Sequence, residues 1–202
     1  MTLPLEPLRV GEVVETSTTG FTAQCYRLDE APPLGALVRT GSEAVIYGVV
    51  AHIATTSLDP GRRPIALGQE EESEEAVYRS NPQLARLLRT QFQAITVGHG
   101  NADALSHHLP SLPPRIHHFV YQCAADEVAR FTTRLDFLRL LLDAPASAGD
   151  EVVRACLRQA SAAHPDASAF LVAAGKELAG LLSNDVLRLN TLLRGLADER
   201  RS

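Results

Sequence analysis

The chain has no tryptophan, a single lysine at Lys176 and only 5% aromatic residues, which removes the usual stacking platforms for bases and sugars. Its three cysteines, Cys25, Cys123 and Cys156, are odd in number, scattered and never in a CxxC spacing. That argues against a disulfide framework or a zinc ribbon. Residues 1–10 lack a basic segment followed by an apolar one, and no later window approaches the roughly 20 apolar residues that span a bilayer. Neither export nor membrane insertion is predicted, so the expected location is the reducing cytoplasm. Basic residues are in the minority, 19 Lys and Arg against 24 Asp and Glu, for a formal net charge of -5. A sequence-independent grip on nucleic acid therefore needs a local basic patch that opposes the average.

Catalytic signatures are missing as well. No GxSxG, HExxH or GxGxxG occurs, and Gly175-Lys176 fails as a P-loop because Phe170 stands where its first glycine is needed and Glu177 where Ser or Thr is needed. Gly175 and Gly180 read instead as positions of close helix packing. No enzyme activity and no cofactor is expected.

What is present is a change of hydrophobic period. The first half alternates in period two with glycine turns, and the last third follows period 3.6 in Leu and Ala, with the switch near residues 123–126. Leu8, Val10 and Val14 share one parity before a Thr18-Thr19-Gly20 turn, and Phe21, Ala23 and Cys25 form the inward face of a strand over 21–28. After Pro32-Pro33 come strands over 34–40 and 44–54, joined at Gly41-Ser42. Gly48 inside the second marks a bulge or bend suited to curling a sheet. Two more strands are predicted over 93–99 and 115–123. Residues 58–91 are too long for a bare connection; Ser73 can begin one helical turn, and Asn81-Pro82 fits an N-cap and first position ahead of Leu84, Leu87 and Leu88.

Beyond Asp126, Phe131, Leu135, Leu138 and Leu142 predict a helix that stops before Pro145. Val152, Val153, Cys156, Leu157 and Ala160 predict a second, ending near His164-Pro165. Asp166 can cap a third through Leu178 and Leu181, and Asn184 or Asp185 a fourth through Leu196. The expected fold is α+β: a small six-stranded antiparallel β-barrel over 1–124, with a helical insertion near 73–91, followed by a three- to four-helix module over 125–202.

Few residues invite chemistry. His99, His107, His108, His117, His118 and Cys123 are zinc-type donors, but a strand through 117–118 points those two rings to opposite faces, so no metal site is expected. Gly98-His99-Gly100 reads as a strand-end turn. Glu70, Glu71, Glu72, Glu74 and Glu75 read as a solvated loop and helix start. Asp59-Pro60-Gly61-Arg62-Arg63-Pro64 stands apart, since two prolines stiffen a turn that presents Arg62 and Arg63 to a carboxylate or phosphate. The bland alternative is that these arginines pair with Glu70–75.

Val10-Gly11-Glu12-Val13-Val14, the Thr-rich turn, Phe21, Pro33-Leu34-Gly35 and Tyr47-Gly48-Val49-Val50 together resemble the HAS-barrel. That small barrel is shared by HerA-type DNA-translocating ATPases and the N-terminal domains of ATP synthase catalytic subunits. The resemblance covers roughly residues 5–123. It implies a barrel that does not itself catalyse but packs into a ring or docks a partner beside a P-loop ATPase domain, which this sequence lacks. The expectation is a protein-binding adaptor or scaffold, with Arg62 and Arg63 as partner-binding residues and another protein, such as a ring ATPase or a large assembly, as partner. The alternative is a nucleic-acid-associated accessory factor of a HerA-type system.

Overall fold

The structure, a computed structural model, describes residues 8–42, 44–59, 61, 63–101, 104–144 and 149–198. Seven strands form one antiparallel sheet: β1 (Arg9–Thr16), β2 (Gly20–Cys25), β3 (Leu37–Thr40), β4 (Val45–Ser57), β5 (Leu88–Gly100), β6 (Leu105–Ser106) and β7 (Phe119–Gln122). The order is β2-β1-β7-β3-β4-β5-β6, and β2 also pairs with β5. That last pairing closes six strands into a barrel and leaves the two-residue β6 as an outer addition to β5. Closure removes the unpaired edges of an open sheet.

Alternation explains which side chains fill the barrel. Phe21, Ala23 and Cys25 of β2 meet Val38, Val50, Phe92, Ala94 and Val120 inside it. On β1 Val10 and Val13 are buried, whereas Val14, of the same parity as Val10, is only half-buried. The register on β7 shifts between Arg9 and Gly11, so a bulge at Val10 changes the parity of the strand before Val13, and a second shift, on β2, falls between Val13 and Glu15. A register shift does fall at Gly48, but the extra residue is Val97 on β5, and the extra residue on β4 itself is Ala51; a Cβ on Gly48 would meet Phe21 and Ala94 at 3.0 Å.

Ile46–Ala51 are buried one after another because this part of β4 is covered on both sides, whereas His52 and Ile53 beyond it are exposed. Val50 points into the barrel, while Tyr47, Val49 and Ala51 belong to a second apolar cluster outside it, shared with the helices. Those helices are α3 (Ala125–Phe131), α4 (Leu138–Leu142), α5 (Gly149–Ser161), α6 (Ala167–Leu181) and α7 (Val186–Asp198). Phe131, Phe137, Leu141, Val153, Leu157, Leu178 and Leu192 are among its most deeply buried members on the helical side. Asp166 Oδ1 accepts the Ala169 N–H and Asp185 Oδ1 the Arg188 N–H, so α6 and α7 start where the capping residues predicted.

The single helix predicted through Phe131 and Leu142 is instead two, α3 and α4. Thr132 and Thr133 turn their hydroxyls back onto the Val128 and Ala129 carbonyls, and the chain leaves the helix there. Phe131 and Phe137 are both buried, with ring centroids 5.3 Å apart. Six residues apart on one continuous helix they would differ by about 240° in direction, so the break is what brings both rings inside.

Between β4 and β5 lie α1 (Glu74–Ser80) and the single turn α2 (Leu84–Leu87). Ser73 Oγ accepts the Ala76 N–H and begins α1. Asn81 does not start a helix as predicted. Its backbone N–H and Nδ2 both donate to the Val77 carbonyl, closing α1, and Leu88 already pairs with Ser57 as the first residue of β5. No helix among the described residues is long and apolar enough to cross a membrane.

Candidate functional site

The longest pairing in the sheet builds the feature that stands out. β4 and β5 pair from Val45 with Gly100 to Ser57 with Leu88. β3 follows β4 only to Val49 and β2 follows β5 only to Gln91. The last three pairs, Thr55 with Thr90, Thr56 with Arg89 and Ser57 with Leu88, therefore project past the barrel as a two-stranded arm. Its root is clamped by Asp29, which sits at φ 61. The Asp29 N–H donates to Thr90 Oγ1 and Thr55 Oγ1 donates to Asp29 Oδ1, each at 2.8 Å, and the two threonine hydroxyls are also 2.8 Å apart.

Residues 58–87 cap this arm. The Gly61 N–H donates to Asp59 Oδ1 at 2.9 Å, a turn in which the aspartate side chain substitutes for a backbone carbonyl, and the Leu58 N–H donates to the Leu87 carbonyl. No described side chain in this excursion is buried. Leu58, Leu67, Tyr78 and Leu87 are exposed, and Ile65 is 76% exposed. An apolar side chain that far out of the core marks an interaction surface when it has neighbours of its kind.

Of the two predicted partner-binding residues, Arg62 lies outside the described residues. Arg63 is exposed and borders a cleft of about 360 Å³ with Thr55, Thr56, Ser57, Asp59, Pro64 and Arg89. Arg89 was not foreseen there. Its Nε–H is sealed from solvent and donates to no partner among the described residues. Only the cross-strand register, which sets Arg89 opposite Thr56, brings it beside the loop. No ion pair among the described residues joins Arg63 or Arg89 to the acidic run Glu70–75.

The histidine-rich stretch does not converge. His117 is in a turn at φ 66 rather than in a strand, exposed, with Nδ1 3.3 Å from Glu12 Oε1. His107 is buried against Phe131 and Phe137, with ring centroids 4.6 and 5.5 Å away, and its Nδ1 lies 3.7 Å from Asp136 Oδ2. Burial pushes its pKa down, against a weaker upward pull from the Asp136 carboxylate. Among the described residues no group of three or more His, Cys, Asp and Glu gathers to hold a metal. Gly98-His99-Gly100 is not a turn but the paired end of β5, with Val45–Tyr47 of β4 on one side and, at His99 and Gly100, β6 on the other.

Cys123 and Cys156 border a cleft of about 210 Å³ between barrel and α5. Burial pushes the Cys156 thiol up to about 12 and the Cys123 thiol well above its usual range, so both are protonated and poor nucleophiles at neutral pH. Beside Cys123, Glu127 accepts hydrogen bonds from Arg39 Nε at 3.1 Å and Tyr47 Oη at 3.0 Å. This charge-assisted tie fastens α3 to β3 and β4.

One further feature escaped the composition. Arg9 lies over Phe119 at 4.8 Å and Tyr26 at 5.3 Å, and both rings are about half exposed. Three different elements supply this stack, so no local pattern announces it. Neither the family models nor the curated proteins contain a match to this chain.

Proposed function

We propose that this protein is a non-catalytic adaptor that binds another protein through the β4–β5 arm. The observation that carries the reading is the excursion 58–87, a long stretch in which no described side chain is buried. Fixing a backbone costs about 1–2 kcal/mol per residue, and a two-stranded ribbon alone is marginal in water. Contact with a partner would offset that cost, and Ile65, Leu67 and Arg63 are the side chains placed to make it. The resemblance to barrels that serve ring ATPases supports a ring ATPase or a large assembly as that partner. Three buried free cysteines agree with a cytoplasmic setting.

The test replaces 58–87 by an Asn-Gly turn, which joins two antiparallel strands directly. The shortened protein should melt as the parent does while losing the partner recovered by affinity purification. Undiminished capture would place the binding surface elsewhere.

A second reading, an accessory factor on nucleic acid, is favoured by one observation: the half-exposed Tyr26 and Phe119 rings around Arg9 form a stacking platform on the barrel wall. Single-stranded oligonucleotides should then bind at low salt and lose affinity steeply as salt rises. A flat titration eliminates it.

A further inference from the structure

Four neighbouring strands carry one polar row across the outer wall of the barrel. Register sets Glu15 of β1 opposite Thr22 of β2, Thr22 opposite Gln93 of β5, and Gln93 opposite His52 of β4. Paired residues share a face of the sheet. Here it is the outer face, because Phe21 and Ala23 beside Thr22, and Phe92 and Ala94 beside Gln93, fill the barrel. Strands lie about 4.8 Å apart, so the row spans about 14 Å. All four residues line one cavity of about 640 Å³, a size within the about 300–1,000 Å³ of small-molecule sites.

The remaining walls divide by chemistry. Leu140 and Ala144 at the end of α4, with Leu109 and Ile95, supply aliphatic surface, and Asp143 adds a second carboxylate. Among the described residues that line the cavity none is Lys or Arg, and its one phenylalanine, Phe21, is packed inside the barrel. An anion therefore finds no counter-charge there, and a flat aromatic ligand no phenyl ring to stack on. Glu15 Oε2 accepts from Thr22 Oγ1 at 3.2 Å and forms no ion pair among the described residues. Asp143 meets Arg139 at 3.8 Å with both side chains largely exposed, a contact that solvent screens.

We infer that this cavity binds an elongated aliphatic polyamine. Its ammonium groups pair with the Glu15 and Asp143 carboxylates, an inner N–H donates to the Gln93 carboxamide, and its methylenes lie against Leu140, Leu109 and Ile95. Charge-assisted hydrogen bonds supply the hold, and the net charge of -5 draws a cation towards the chain. The cavity shares no residue with the arm or with the Arg9 stack, so its occupancy is independent of either reading above.

Isothermal titration calorimetry of the full chain with spermidine tests this. The parent should bind a single equivalent with a dissociation constant below about 1 mM. Glu15→Gln should weaken binding about tenfold. Gln93→Glu, which adds a carboxylate to the middle of the row, should strengthen it by a similar factor, a gain that misfolding cannot imitate. Glu177→Gln removes the same charge from an exposed position on α6 and should leave the affinity unchanged. The shorter putrescine should bind more weakly than spermidine, and an uncharged aliphatic diol of spermidine's length should not bind. No binding at about 1 mM spermidine, a Glu15→Gln variant that binds as the parent does, or putrescine held as tightly as spermidine overturns the inference. So does a Glu177→Gln variant weakened as much as Glu15→Gln, since net charge alone would then be drawing the polyamine.

Discussion

Gly35 lies directly against the backbone of α5, and Gly35→Ala should be costly. Gly35 sits at φ 80, and a Cβ built on it would fall within contact distance of the Ala155 carbonyl carbon and the Cys156 nitrogen, and 2.7 Å from Ala155 Cβ. The neighbours that must yield are backbone atoms of α5, which cannot swing aside as a side chain does. Its own N–H is committed to the Val50 carbonyl at 2.8 Å, so the barrel side is fixed as well. A left-handed backbone costs a non-glycine residue about 1–2 kcal/mol, and forcing an extra methyl into a filled space about 1–3 kcal/mol. The sum is about 2–5 kcal/mol, a large share of the roughly 5–15 kcal/mol that holds a domain together. At about 2–4 °C per kcal/mol for a chain of this size, thermal denaturation followed by circular dichroism should show Tm lower by about 10 °C. Gly180→Ala is the matched control, since Gly180 lies within α6 with nothing within 4 Å of the added carbon. Alanine there gains up to about 1 kcal/mol of helix propensity, so the same substitution should act with opposite sign. If Gly35→Ala melts within about 2 °C of the parent, α5 does not rest on that loop.

Phe131→Ala should cost about 3–5 kcal/mol, because its ring is 1% exposed and lies against Tyr47, His107 and Phe137; urea unfolding should stay a single transition, as the cluster spans barrel and helices. Burial raises the Cys25, Cys156 and Tyr47 pKa values to about 11, 12 and 12 from 9.0, 9.0 and 10.0. Their contribution to stability is complete below pH 9 and is lost as pH climbs towards 12, so urea midpoints should fall across that interval and a thiol reagent at pH 8 should react promptly only with unfolded protein. His107 is shifted the other way, below its usual 6.5. The stability it contributes is present above pH 6.5 and lost as pH falls, and His107→Leu should flatten that acid limb of a stability–pH profile.

Much of the fold was legible because its signals are local. Period-two patterning located six strands, Gly48 fell at a register shift, and Ser73, Asp166 and Asp185 each cap the helix that follows. Missed features depend on what lies across space. The bulges at Val10 and Val14 exist only relative to β7 and β2, and Leu88, expected on a helix face, is taken by its pairing with Ser57. The break after Phe131 is decided by a core that takes two phenylalanines from one stretch. The site divides in the same way: the stiff Asp59–Pro64 turn was visible in the sequence, whereas Arg89 joins it through ribbon register.

The position of β7 has a consequence for biosynthesis. It pairs with both β1 and β3, so the seam between those early strands stays open until residues 119–122 have left the ribosome. β2 waits in the same way for β5. Until then two nascent hairpins expose unpaired edges, the state in which a chain is most prone to associate wrongly. α3 starts at Ala125, just after β7 ends at Gln122, so the strand that completes the wall is followed at once by the first helix that covers it.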